Sequence, residues 1–218
     1  MEPFVILDDV AAPFDRSNID TDQILPARFM RRPRKDGYQN FLFHDMRFRE
    51  DGSENVEFIL NREPFRRARI LVADRNFGGG SSREQAPWGL FDYGIRCVIA
   101  ADFGDIFYRN ALKTGLLPVQ LPIGICIGLR EQLHARPGAS LQVDLVQQCV
   151  TAPDGAIYTF TIDPFRKHCL LEGLDEIDLT LQYVREMSAF EESYRRRFDW
   201  LFEVPRPAAI SISRPQKG

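Results

Sequence analysis

Gly78-Gly79-Gly80-Ser81-Ser82-Arg83-Glu84 follows an apolar run, Ile70-Leu71-Val72-Ala73, and precedes a helix-like segment, Gln85 to Tyr93. The apolar run has the length and character of a buried strand. Consecutive glycines allow positive φ and a close approach of the backbone to whatever lies against it. A helix start gathers unpaired N–H groups, which attract negative charge. Ser81-x-x-Glu84 has capping-box spacing, and Pro87 suits an early helical turn. The stretch therefore predicts a strand, a glycine turn and a helix. It holds a hydroxyl at a positive helix start, with the Arg83 guanidinium two residues on. Such a site binds a carboxylate or stabilises a serine that has lost its proton. A glycine-rich turn with a serine cap and no catalytic role fits the same residues, and locally both readings stay open.

Three related motifs do not fit. A nucleophile elbow needs glycine where Arg83 stands, a phosphate loop needs a lysine that is absent, and a dinucleotide loop needs a third glycine where Arg83 stands.

Outward from this stretch the pattern repeats. Helix Gln85–Tyr93 meets Gly94, a good left-handed terminator. Cys97 to Ala101 reads as a strand, Asp102 to Thr114 as a helix closed by Gly115, and Leu116 to Leu121 as a third strand. Strand–helix–strand–helix–strand predicts a parallel sheet, with the glycine stretch at the carboxyl end of a strand, where open α/β sheets bind ligands. Phe4 to Leu7 predicts a first strand. Leu141–Leu145 and Tyr158–Ile162 alternate apolar and polar around a Pro153-Asp154-Gly155 turn and predict an antiparallel hairpin. Pro164 to Leu174 and Asp175 to Arg197 predict helices, and the tail from Pro205 is expected to be loosely ordered.

The 218 residues suffice for one domain with extensions; 44% hydrophobic and 27% charged residues with net charge −3 describe an ordinary soluble chain. Short basic clusters such as Arg31 to Lys35 have acidic neighbours, so nucleic-acid binding is not expected. No run has the length of a membrane span and the start lacks a basic, apolar leader, so a cytoplasmic location without membrane contact is expected. Cys97, Cys126, Cys149 and Cys169 are widely spaced, so buried thiols are expected and no metal ligand set is seen.

Near the start, Asn18-Ile19-Asp20-Thr21-Asp22-Gln23-Ile24-Leu25-Pro26 is rich in turn and cap residues. Ala27 to Asn40 carries many charges, Pro33 and Gly37, and reads as a mobile, functional surface loop. His44 reads as a packed or surface histidine.

Taken together, the segments Asn18–Pro26, Asn76–Glu84 with Ala86-Pro87-Trp88, Phe103–Asn110, Gly115–Pro118 and Asp163–Leu171 resemble the small-subunit family of isopropylmalate dehydratase, in the aconitase superfamily, over nearly the whole length. The resemblance implies a three-layer β/β/α swivelling domain of the aconitase C-terminal type. This is an α/β fold whose mixed sheet has a parallel βαβ core, over residues 1–204, with a tail at 205–218. It implies a hydro-lyase that interconverts 2- and 3-isopropylmalate in leucine biosynthesis, as a heterodimer or heterotetramer with a large subunit. That partner carries a [4Fe-4S] cluster, and this chain holds no metal.

Carried over residue by residue, the resemblance makes Ser81 the base, acting as an alkoxide amid the donors of Gly80 and Ser82. It makes Arg83 the carboxylate clamp. Thr21 and Asp22 are orienting residues, and Arg28, Phe29 and Met30 belong to the loop at 27–38 that reads the substrate side chain. The family more often has cysteine where this chain has Gly79 and histidine where it has Gln85. A related hydro-lyase acting on citraconate, maleate or another substituted malate is therefore the alternative, with a non-catalytic accessory domain as a third reading.

Overall fold

The computed structural model describes residues 1–202. It contains two compact units, Met1–Glu176 and a second that begins at Ile177. The expected boundary at residue 204 and the tail from Pro205 lie outside the described residues.

The first unit is built on a seven-stranded mixed sheet. Strands β1 (Ile6–Pro13), β2 (Ile70–Val72), β3 (Cys97–Ala100) and β4 (Leu117–Gln120) are parallel neighbours. The other edge of β1 carries antiparallel β5 (Ser140–Asp144), followed by β6 (Cys149–Thr151) and β7 (Ile157–Thr159). The sheet therefore has a parallel half and an antiparallel half that share β1.

Side chains of a strand alternate between faces, and the register lines the alternation up across the parallel half. Ala12, Leu71 and Val98 face one core, with Ala86 and Leu90 of α3 (Gln85–Tyr93) and Phe107 and Ala111 of α4 (Asp105–Thr114). Ala11, Ile70, Cys97 and Leu117 face the other core, with Cys126, Leu129 and Leu133 of α5 (Ile123–Ala135). The parallel strands are buried on both faces, which is why they read as continuous apolar runs.

Glycines end the helices as expected: Gly94 (φ 113°) and Gly115 (φ 90°) take the left-handed conformation after α3 and α4, and Gly173 (φ 69°) does so after α6 (Pro164–Glu172). Asp163 caps the start of α6 by accepting from the Arg166 amide.

Five expectations are corrected. The first strand begins at Ile6 rather than Phe4 and runs on through Asp8 and Asp9. The second helix of the parallel half starts at Asp105, because Phe77 pairs with Phe103 as an isolated parallel bridge and Gly104 donates to the Phe77 carbonyl. The expected hairpin is a three-stranded meander, because β6 lies between its strands and pairs with both. The charged segment at 27–40 is not an irregular loop. It forms short 3-10 turns at Ala27–Phe29, Arg34–Asp36 and Tyr38–Asn40, anchored by buried Tyr38, whose hydroxyl donates to the Arg32 carbonyl at 2.8 Å. The long C-terminal helix is two, α7 (Glu176–Leu181) and α8 (Val184–Arg197).

Candidate active site

The glycine stretch leaves the carboxyl end of β2 and runs between the segments that follow β1 and β3. On one side the Gly78 amide donates to the Ile19 carbonyl at 2.6 Å, and the Thr21 amide donates to the Gly79 carbonyl at 2.9 Å. On the other, the Phe77 amide donates to the Asp102 carbonyl at 3.1 Å, and the Asn76 amide to the Asp102 carboxylate at 2.8 Å. Three adjacent strand ends thus fix one short loop.

Glycine is required here by space as well as by φ. Gly78 sits at φ +74°, and a Cβ on it would overlap the Phe107 ring. A Cβ on Gly104 would overlap the Gly78 carbonyl. Gly79 differs, because the atoms nearest to a Cβ there belong to the Asn76 side chain, the first at 2.9 Å.

Ser81 lies just beyond this packed segment and is exposed. Its carbonyl accepts from the buried Thr21 hydroxyl at 2.9 Å, while its own hydroxyl has no hydrogen bond among the described residues. The capping box is not formed. Helix α3 begins at Gln85 with Glu84 as its N-cap, and no side chain caps it. Ser81 is therefore too far from the first turn, and its hydroxyl stays free. Among the described residues, the main-chain amides from Gly80 to Ser82 and from Arg83 to Glu84 donate no hydrogen bond either. A free hydroxyl beside a run of uncommitted donors is the arrangement that an oxyanion needs.

Arg83 points back across the loop. Its side chain is only 13% exposed, and its guanidinium donates to the Asp22 carboxylate and, at 3.4 Å, to the Leu25 carbonyl. Asp22 also accepts from the Ala27 amide at 2.7 Å. The Arg83 hydrogen bond, helped by that amide, holds the Asp22 carboxyl below the usual carboxylate range. Asp22 belongs to α1 (Thr21–Ile24), whose start is capped by Asp20 accepting from the Gln23 amide at 2.7 Å.

A cavity of about 340 Å³ opens beside Asp22, walled by Asp20, Gln23, Pro26, Ala27, Arg28, Asp45 and Met46. Arg28 makes a two-pronged bond to Asp45, one prong at 2.9 Å. It also lies over the Phe29 ring at 4.6 Å, and that ring stacks on Phe41 at 4.5 Å. Ser81, Arg83, Thr21, Asp22, Gly80 and Ser82 are thus brought together by the two strand-end loops, and Arg28 shares the cavity with Asp22 alone of these. Phe29 and Met30 do not wall the cavity, and Met46 supplies its apolar surface instead. Asp45 and Met46 were not identified from sequence. They follow Phe43, which stands at φ +48° before α2 (His44–Arg47), and no local motif marks them. His44 is a packing histidine, 4.8 Å from Phe29 and 5.1 Å from Phe48.

The site is braced from beneath by a residue that no motif announced. Arg130 of α5 is buried, and its guanidinium donates to the Ala73 carbonyl at 2.7 Å. It pairs with Asp74 at 2.7 Å and with Asp15 at 2.9 Å. It ties together the carboxyl ends of β1 and β2, from which both active loops depart.

The cysteines of this chain do not fit an iron–sulfur cluster. Cys97, Cys126 and Cys169 are buried free thiols, and burial pushes Cys126 up to about 11 and Cys97 higher. Among the described residues no three histidine, cysteine or acidic side chains converge as metal ligands.

Residues 1–124 match the family model of the aconitase C-terminal domain, and residues 128–164 match the model described as LeuD_N. The 3-isopropylmalate dehydratase small subunit of Granulibacter bethesdensis is 49% identical over 95% of this chain and its own full length. Its counterpart in Paramagnetospirillum magneticum is 48% identical over 92% of this chain, again over its full length. Among solved structures, 3-isopropylmalate dehydratase (leuD) of Methanocaldococcus jannaschii superposes with a TM-score of 0.59 over 87% of this chain and 99% of its own, at 22% identity. That last likeness concerns the fold.

Proposed function

The chain belongs to the 3-isopropylmalate dehydratase small-subunit family of aconitase-type proteins, and from that membership we propose that it interconverts 2-isopropylmalate and 3-isopropylmalate in leucine biosynthesis, in complex with a large subunit. The observation that carries the proposal beyond kinship is the unbonded Ser81 hydroxyl amid uncommitted amides, with Arg83 held alongside by Asp22.

The reaction moves a hydroxyl between neighbouring carbons of a diacid. A proton next to a carboxylate must leave, and the C–H electron pair becomes the C=C bond as the hydroxyl on the neighbouring carbon departs. Rehydration reverses the two events with the carbons exchanged. Proton removal beside a negative group needs a strong base. Ser81 fills that role as an alkoxide, and the amides of the 80–84 segment lower the cost of its charge. Arg83 grips one substrate carboxylate through its planar fork. Thr21 fixes the backbone of Ser81, and Asp22 aims Arg83. Met46, with Pro26 and Ala27, supplies the apolar wall that meets the substrate side chain, and Phe29 supports Arg28 from behind.

The family's [4Fe-4S] cluster supplies Lewis-acid chemistry at the departing hydroxyl when bound. The cysteines of this chain do not fit it, and from the family we propose that the large subunit carries it. No helix among the described residues is long and apolar enough to cross a membrane, and a cytoplasmic heteromer is the assembly proposed.

The test is the exchange of the substrate α-proton with solvent deuterium in the assembled enzyme. Ser81→Ala is expected to abolish exchange while leaving substrate binding within a few-fold. Exchange at the wild-type rate in Ser81→Ala would remove Ser81 from the role of base.

A further inference from the structure

The cavity beside Asp22 is lined by more negative than positive side chains. Asp20, Asp22 and Asp45 face Arg28 there, although the proposed substrate is a dianion. Two of these carboxylates are committed elsewhere. Asp20 caps the Gln23 amide, and Asp22 holds both Arg83 and the Ala27 amide. Asp45 differs: its partners are the Arg28 guanidinium and the His44 ring at 3.4 Å. It fills both prongs of the Arg28 fork, as a substrate carboxylate would.

We propose that Asp45 is a place-holding carboxylate. It occupies Arg28 while no substrate is bound and yields it to one carboxylate of the diacid, while Arg83 takes the other. The proposal rests on the reading that this cavity receives the dicarboxylate.

The pair is suited to exchange. Arg28 and Asp45 are 52% and 59% exposed, and an ion pair so open to water adds little to stability. One guanidinium–carboxylate fork replaces another, so the charge on Arg28 is never left unmatched. Arg28 also lies 4.6 Å above the Phe29 ring, which is stacked on Phe41. The guanidinium thus keeps a cation–π support when Asp45 lets go, which leaves it oriented for its next partner. Asp45 then makes substrate displace a bonded competitor, so its charge sets the apparent affinity of the site.

The test uses the complete two-subunit enzyme with its cluster, with Asp45→Asn, Arg28→Lys and the double variant. The equilibrium dissociation constant for 2-isopropylmalate is measured alongside KM and kcat. Asp45→Asn is expected to lower both the dissociation constant and KM by 3- to 10-fold, with the change in KM rather than kcat. Arg28→Lys is expected to raise both by at least tenfold and, in the double variant, to cancel the gain. A purely structural Asp45 would instead lower Tm without tightening binding. Unchanged or weaker binding by Asp45→Asn, or a gain that survives in the Arg28→Lys background, overturns the proposal. Binding is read without turnover. A wild-type complex that binds with this pattern but does not turn over would therefore sink the reaction and keep the inference. A complex that does not bind 2-isopropylmalate would sink both.

Discussion

The buried hydroxyl of Thr21 donates to the main-chain carbonyl of Ser81 at 2.9 Å, across 60 residues of sequence. The same threonine donates its amide to the Gly79 carbonyl. One residue after β1 therefore fixes the loop after β2 on both sides of Gly80.

Thr21→Val keeps the shape of the side chain and removes the hydroxyl bond. A hydrogen bond of this kind contributes about 1 kcal/mol, so the fold should survive with a modest loss of stability. The loop should lose its registry, and kcat should fall tenfold or more while KM changes less. Thr21→Ser, which restores the donor, should recover most of kcat. Steady-state kinetics with a thermal melt of each variant checks both parts. Equal losses in Val and Ser variants would assign Thr21 to packing alone.

Arg83→Lys keeps the charge and loses the fork. A lysine cannot reproduce bidentate carboxylate geometry, so KM should rise by at least tenfold, with the Asp22 contact weakened as well. The measurement is KM against substrate at constant ionic strength. An unchanged KM would show that the carboxylate is held elsewhere.

The Asp22–Arg83 pair also predicts a pH dependence of stability. Arg83 holds the folded-state pKa of Asp22 below its ordinary value of 3.8. Stability from the pair is thus present above about pH 4 and is lost as pH falls through the depressed folded value. The carboxylate is 57% exposed, so solvent screening keeps the effect small. The Tm difference between wild type and Asp22→Asn should be constant near neutrality and shrink below pH 4. A difference that grows on acidification would reverse the sign of the coupling.

Much of this arrangement is legible in the sequence, and the exceptions have physical causes. Helix Gln85–Tyr93, its Gly94 terminator and the strands at Ile70 and Cys97 follow from periodicity and glycine chemistry. Helix α5 did not announce itself. Its start, Ile123-Gly124-Ile125-Cys126-Ile127-Gly128-Leu129, holds β-branched residues and two glycines, and no polar face appears before Arg130. Strand β6 is three residues long, too short for alternation to register. The capping-box spacing at Ser81 was real but unused, because tertiary bonds from Ile19 and Thr21 hold the loop and delay the helix to Gln85. The free state of the Ser81 hydroxyl, on which the proposed chemistry rests, follows from that delay. Asp45 was invisible because its meaning lies in a contact with Arg28, 17 residues away.

Arg130 supports the site from below and should matter for stability more than for chemistry. Breaking a buried ion pair by removing one partner costs about 3–5 kcal/mol. Asp15 is half exposed, which places Arg130→Met near the lower end, about 3 kcal/mol. Denaturant unfolding of the full chain checks this. A loss under 1 kcal/mol would mean that Asp15 and Asp74 are as well served by water.

Two glycines should respond in opposite directions to alanine. Gly78→Ala must move the Phe107 ring and hold a side chain at φ +74°, so it should cost at least about 2 kcal/mol. Gly128 lies inside α5, and nothing stands within 4 Å of an added Cβ. Gly128→Ala should therefore stabilise by about 0.5–1 kcal/mol through the unfolded chain. Melting both variants beside wild type decides it, and the same sign for both would contradict the packing described.

The most direct test of the central claim is turnover by this chain, alone and mixed with its large subunit after anaerobic assembly of the cluster. 2-Isopropylmalate, citraconate and maleate are offered side by side. Activity only in the mixture, fastest on 2-isopropylmalate and lost with Ser81→Ala, is the expected result. Faster turnover of another diacid would keep the mechanism and displace the substrate. A correctly assembled complex that binds these diacids but turns over none would contradict the assignment of a hydro-lyase.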